Sequence, residues 1–265
     1  MKIHSRMLFI LFSVSILSFA NAQIKPTGKL DLYILIGQSN MAGRGPITVE
    51  MKNEGNSRVF MFTRDSQWVE ARHPLHFDKP KAAAVGPGLA FGIKMAEADF
   101  KAEIGLIPCA VGGTSIERWV PGAYDKSTYT HPYDDAVQRI KAAMQYGIVK
   151  GIIWHQGESN SGSEARAQGY LDKLIVLIGR MRELTGKPQL PFVAGELGRY
   201  RENFQLINKQ LASLPAKVIY TALATSEGLV HKGDTLHFDG KSADEMGKRM
   251  AIQMLMVQKQ TGAKK

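Results

Sequence analysis

The chain has 265 residues, of which 44% are hydrophobic, 22% charged and 8% aromatic, a balance that suits one globular core and excludes a disordered or low-complexity polymer. Its formal charge is +10, yet the basic residues are scattered and no nucleic-acid recognition motif accompanies them, so the excess reads as a solvated basic surface. A single cysteine, Cys109, excludes an internal disulfide, and within "GLIPCAV" it reads as a small buried apolar residue.

Residues 1–22 read as an address rather than as structure. Lys2 and Arg6 precede the 13-residue apolar run Met7–Phe19 and the small-residue site Ala20-Asn21-Ala22, the anatomy of a secretory signal cut before Gln23. Thirteen residues fall short of the roughly 20 that span a bilayer. No cysteine follows the cut to carry a lipid. The expectation is one exported domain over residues 23–265, secreted or periplasmic and not held in a membrane. Loss of Lys2 and Arg6, with no acid, lowers its charge by two, to +8.

Along that domain, strand-like apolar runs alternate with helix-like amphipathic segments. The predicted strands are Leu32–Ile36, Glu103–Pro108, Val149–Trp154, Phe192–Gly195 and Val218–Ala222. The predicted helices are Leu89–Phe100, Asp134–Tyr146, Ala165–Leu184, Phe204–Leu214 and Ser242–Gln258. Alternation of this kind predicts an α/β protein with a mostly parallel five-stranded sheet and helices on both faces. Nearly unbroken apolar strands such as "YILI" and "GIIW" fit a sheet covered on both sides. Between them, Arg44 to Gly88 is irregular, contains "VFMF" as a candidate extra strand, and reads as a rim over a binding site.

Open sheets bind ligands past the carboxyl ends of their strands, so the residues just after each strand are the informative ones. After the first strand comes "GQSN", where Ser39 reads either as a helix N-cap or as an exposed nucleophile. After the second comes "CAVGGTSIERW", whose Gly112 and Gly113 allow close backbone approach and outward-pointing N–H groups, or simply make a turn. Trp119, Tyr124, Tyr129 and Tyr133 follow, suited either to stacking on a sugar or to packing. After the third comes "WHQGESN": Gln156 carries an amide donor, Glu158 is an acid with a catalytic or a structural use, and His155 reads as a wall. Before the last helix, "GDTLHFDG" sets Asp234 and His237 three apart, spacing that can place the carboxylate on one ring nitrogen while the other faces the crevice. The alternative there is a surface acid and a capping histidine.

Together these residues supply every part of an acyl-transfer site. A serine hydroxyl needs an imidazole to take its proton, the imidazole needs a carboxylate to fix its tautomer, and the oxyanion needs preorganised donors. Ser39, His237 and Asp234 fill the first three places. The N–H groups of Ser39 and Gly113 and the side chain of Gln156 fill the fourth. No cofactor or metal is called for: His73-x-x-His76 has no second cluster to complete a zinc set.

With those motifs assembled, the chain resembles the SGNH hydrolases, nearest the branch holding carbohydrate esterase family six acetylxylan esterases and the sialate O-acetylesterases. The matching stretches are "GQSNMAGRG" (37–45), "VGPGLAF" (85–91), "GLIPCAVGGTSIERW" (105–119), "IIWHQGESN" (152–160) and "DTLHFD" (234–239). The resemblance implies a flavodoxin-like three-layer α/β/α fold and serine-dependent removal of acetyl groups from carbohydrate. By the same resemblance Ser39 is the nucleophile, Asp234 and His237 are the acid and base, Gly113 and Gln156 complete the oxyanion hole, and Glu158 supports the histidine beside or instead of Asp234. The absence of large extra domains favours acetylxylan or its oligosaccharides as substrate. O-acetylated sialic acid is the alternative within the class, and a non-catalytic carbohydrate-binding domain the alternative outside it. Nothing in the residues speaks to oligomeric state.

Overall fold

The computed structural model describes residues 26–262; the expected signal, residues 1–22, lies outside the described residues. Among the described residues seven strands form one sheet: β1 (Leu30–Gly37), β2 (Val59–Phe62), β3 (Trp68–Glu70), β4 (Ile104–Pro108), β5 (Gly147–His155), β6 (Phe192–Gly195) and β7 (Thr221–Ala224). Their order is β3-β2-β4-β1-β5-β6-β7, and every pairing is parallel except that of β2 with β3.

Alternation along β1 explains the two layers of helices. Successive strand side chains point to opposite faces. Leu30, Leu32, Ile34 and Ile36 pack with Ile140, Leu174 and Leu211, from the helices Pro132–Ala143, Tyr170–Leu184 and Gln205–Ala212. Tyr33 and Leu35 face the other way, among Phe91, Met95, Met250 and Met254 of the helices Gly88–Ala98 and Gly240–Gly262. Since both faces are covered, the strand has no polar side to show.

The sheet corrects the expected strand count from five to seven. "VFMF" is a true strand, β2, inserted between β4 and the antiparallel β3. A three-residue edge strand such as β3 carries too little pattern to be read from sequence. The predicted strand Val218–Ala222 is displaced to Thr221–Ala224, following Tyr220 at φ +59°. The predicted helix Ala165–Leu184 is two pieces, Glu164–Ala167 and Tyr170–Leu184, parted at Gly169 with φ +68°. The remaining elements stand within a few residues of expectation.

Chain direction places the site. The central β1 has β4 on one side and β5 on the other, so the carboxyl ends of these three strands open into one crevice.

Candidate active site

β1 ends at Gly37, whose φ of +135° and contact with the His155 backbone leave no room for a Cβ. The chain then turns sharply into the one-turn helix Ser39–Ala42. Gln38, not Ser39, takes the N-cap position, which sets aside the capping reading of the serine. The Ser39 hydroxyl instead lies 3.0 Å from His237 Nε2.

His237 in turn places Nδ1 2.7 Å from Asp234 Oδ2. With Nδ1–H donating to the carboxylate, the Nε2 lone pair is free to accept the serine proton. The other oxygen, Asp234 Oδ1, accepts from the backbone N–H of Leu236 at 2.9 Å and of His237 at 2.8 Å. Burial alone would raise the Asp234 carboxyl. The donors from His237 and Leu236 overcome it and hold the group well below the usual carboxylate range. Asp234 therefore stays charged and its geometry is fixed by the turn it caps.

Asn40, which the sequence reading passed over, joins the serine to the histidine loop. Its Oδ1 accepts from Phe238 N–H at 3.0 Å, and its Nδ2 donates to the Leu236 carbonyl at 3.2 Å and to Glu158 Oε1 at 2.6 Å. Both residues flanking His237 are thus tied to the residue after Ser39. Among the described residues Glu158 makes no hydrogen bond to His237; it is hydrogen-bonded to Asn40 and lies 3.7 Å from His155 Nδ1, while Asp234 is the acid at the His237 ring. His155 is buried beneath the site with Nε2 3.1 Å from the Glu196 carbonyl, and burial pushes its ring below the ordinary histidine range.

The second strand end is held by a buried ion pair that no spacing advertised. Arg44 Nη2 donates to Asp78 Oδ2 at 2.7 Å, the two side chains being 6% and 1% exposed. The same oxygen accepts from Gly112 N–H at 2.8 Å. Burial would raise the Asp78 carboxyl, but Arg44 and the Gly112 N–H hold it low. A side chain at Gly112 would collide with this pair. Gly113 follows at φ +92°, and among the described residues neither its N–H nor that of Ser39 has a protein acceptor. Two backbone donors are thus left free at the strand ends flanking the Ser39 hydroxyl.

Gln156 behaves differently from expectation. It is fully buried, and its two amide hydrogens face three acceptors: Asn160 Oδ1 at 2.8 Å, Gln38 Oε1 at 3.2 Å and the Thr114 carbonyl at 3.2 Å. In this arrangement the amide is a strut joining the three strand ends, not a donor aimed into the crevice. Asn160 extends the strut, accepting from Ile116 N–H at 3.0 Å and donating to Glu117 at 3.0 Å. Glu117 also pairs with Lys173 at 2.6 Å. These contacts, against the opposing effect of burial, bring its carboxyl down to about 2. Beside Gly113 opens a cavity of about 590 Å³ walled by Glu117, Arg118, Asp125, Arg166 and Lys173.

Geometry of this kind can move a proton from hydroxyl to imidazole and receive an oxyanion on backbone N–H groups. Comparison with known proteins points the same way. A relative from Arabidopsis thaliana, named as a probable carbohydrate esterase, is 31% identical over 245 residues, covering 83% of this chain and 88% of its own length. An X-ray structure of an Arabidopsis thaliana protein aligns with a TM-score of 0.76 at 29% identity, over 86% of this chain and 98% of that one. The crystal structure of NanS shares the fold, with a TM-score of 0.74 at 16% identity over 89% of this chain and all of that one. Residues 29–256 match the family described as carbohydrate esterase, sialic acid-specific acetylesterase. The chain belongs to that family of carbohydrate esterases and is a carboxylic ester hydrolase.

Proposed function

We propose that this protein removes O-acetyl groups from sugars through an acetyl-serine intermediate on Ser39. The observation that carries the reading is the unbroken line of hydrogen-bonding distances from Ser39 Oγ through His237 to Asp234. Ser39 Oγ attacks the acetyl carbonyl carbon while His237 Nε2 takes its proton. The N–H groups of Ser39 and Gly113 receive the oxyanion, each such donor being worth about 3–4 kcal/mol in the transition state. The intermediate collapses with cleavage of the bond to the sugar oxygen, which leaves with the proton held on His237. Water then attacks the acetyl-serine, its proton passing to His237, and acetate departs as the proton returns to Ser39. Proton transfer by the imidazole contributes roughly 10²–10⁴-fold.

Acetylated xylan or its oligosaccharides is the first candidate sugar, on the resemblance of the five motifs to the branch that holds the acetylxylan esterases. A second reading, O-acetylated sialic acid, is favoured by the family match and by Arg166 in the cavity beside Gly113, whose guanidinium has no partner among the described residues and suits a sugar carboxylate. Acetate release from acetylated xylo-oligosaccharides and from O-acetylated sialic acid, with wild type beside Ser39→Ala, tests both. Release by wild type and its loss in the variant is expected; release that survives the substitution ends the serine mechanism. The proposal includes export on the signal of residues 1–22, for which the mature protein should begin at Gln23 on N-terminal sequencing.

A further inference from the structure

Of the four aromatic residues that follow the second strand end, the structure leaves one bare. Trp119 is buried edge-on against Trp154, with ring centroids 5.4 Å apart. Tyr133 packs on the core, and Tyr124 lies with its ring centroid 5.0 Å from that of His131. Tyr129 is 82% exposed and its backbone sits at φ +56°, in the left-handed region that favours Gly, Asn or Asp. A large aromatic residue in that conformation, touching no core, is costly on both counts, and such outliers persist only where the surroundings enforce them.

The surroundings here are a built turn. Asp125 Oδ1 accepts from the N–H groups of Ser127 and Thr128, both at 2.9 Å, and from the hydroxyls of Ser127 at 2.6 Å and Thr128 at 3.0 Å. The backbone closes the turn, with Tyr129 N–H on the Asp125 carbonyl at 2.9 Å and Asp125 N–H on the Thr130 carbonyl at 2.9 Å. Asp125 also pairs with Arg118 at 3.5 Å, and both residues wall the cavity beside Gly113. Thr130, at the other end of the turn, lines a second cavity together with Val111. The turn therefore spans the two sides of the segment that carries the Gly113 N–H. In the first cavity the Arg166 guanidinium has no ion-pair or hydrogen-bond partner among the described residues.

We propose that Tyr129, presented by the Asp125–Thr130 turn, is a stacking platform for a sugar unit adjacent to the acetylated one, so that the site takes a glycan chain rather than a free monosaccharide. This rests on the deacetylase reading for its substrate. A pyranose ring has an apolar C–H face and a polar rim. An exposed aromatic ring covers the first, while charged walls and a free guanidinium meet the hydroxyls of the second. Rigidity matters as well: a turn held by these six hydrogen bonds loses little backbone freedom when the sugar arrives.

The test uses two arms, acetylated xylo-oligosaccharides and O-acetylated sialyl-oligosaccharides, each beside its own acetylated monosaccharide. Binding is measured by calorimetry in the Ser39→Ala background, so it does not depend on turnover, and kcat/KM is measured in the parent. Tyr129→Gly should weaken binding of one chain relative to its monosaccharide about fivefold or more, and lower the chain-to-monosaccharide ratio of kcat/KM to match. Tyr129→Trp should retain both ratios. Because glycine relieves the positive φ, Tyr129→Gly should melt at the same or a higher temperature than the parent, which a structural role for the ring would not allow. The proposal is overturned if Tyr129→Gly leaves both ratios intact in both arms, or if the parent binds neither chain more tightly than its monosaccharide. Acetate release that persists in Ser39→Ala would mark failure of the serine reading instead, while the calorimetric comparison would still decide the platform.

Discussion

The two ends of the sheet carry different kinds of cavity. At the amino ends of the strands lies the roomier one, about 710 Å³, bordered by Tyr33, Lys150, Lys187 and Gln258. Those four side chains are already engaged with one another, with Asp31 or with the backbone. Lys187 donates to the Val149 carbonyl at 2.7 Å, Gln258 to Tyr33 Oη at 3.1 Å and the Lys150 carbonyl at 3.2 Å, and Lys150 pairs with Asp31 at 3.5 Å. At the carboxyl ends the cavity beside Gly113 is smaller, yet the strand ends there carry a hydroxyl, an imidazole and two backbone N–H groups without an acceptor among the described residues. Volume does not mark the chemistry; groups held apart from their partners at the strand ends do.

That contrast is sharpest in activity. Ser39→Ala and His237→Ala should each lower acetate release by about 10⁴-fold or more, whereas Lys187→Ala at the opposite end should change it by less than about threefold. Steady-state rates on an acetylated sugar decide this, and comparable losses at the two ends would erase the distinction.

Stability sharpens it next. Arg44→Met leaves Asp78 buried without its cation, and breaking such a pair costs about 3–5 kcal/mol. Because Asp78 also holds Gly112 N–H, kcat should fall with it, by about tenfold or more if Gly113 loses its aim. Urea unfolding together with kcat measures both. A variant as active and as stable as wild type would show that the pair does not hold the second strand end.

A smaller effect is expected at Asn40. Asn40→Ala removes three hydrogen bonds and leaves Phe238 N–H without its acceptor, for about 1–3 kcal/mol of stability. The kcat should drop about tenfold as the histidine loop loosens. Loss of stability with undiminished kcat would mean that the Asp234 turn alone positions His237.

The mildest prediction concerns pH and the segment between β3 and the helix Gly88–Ala98. Burial lowers His73 to about 4, with Asp244 pulling the other way, and lowers His76 to about 4, with Asp78 opposing. Both stay neutral in the folded chain while the unfolded chain takes up protons near the ordinary histidine value of about 6.5. Their contribution is complete above that value and falls as the pH drops from there towards about 4. Melting temperature should decline across that window, and His73→Gln should flatten the slope; an unaltered slope would assign the loss to other groups.

Much of this was legible in the sequence because it was local. β1 and β5 read as strands from unbroken apolar runs, and Asp234 and His237 read as a pair because a three-residue spacing closes within one turn. What stayed hidden depends on distant chain. Arg44 and Asp78 are 34 residues apart with no periodicity to link them, and Asn40 meets the loop at Leu236 and Phe238 only after the whole sheet has formed. Gln156 was expected to face the crevice because its position past β5 is right. Its orientation is set by Gln38, Thr114 and Asn160, which come from three strand ends and leave no mark on the residues beside it.

The most direct measurement is to quench the enzyme during turnover of an acetylated oligosaccharide and locate any acetyl group by peptide mass spectrometry. An acetyl group on Ser39, appearing with substrate and absent from Ser39→Ala, is the predicted result. Sustained acetate release with Ser39 unmodified, and undiminished in Ser39→Ala, would contradict it.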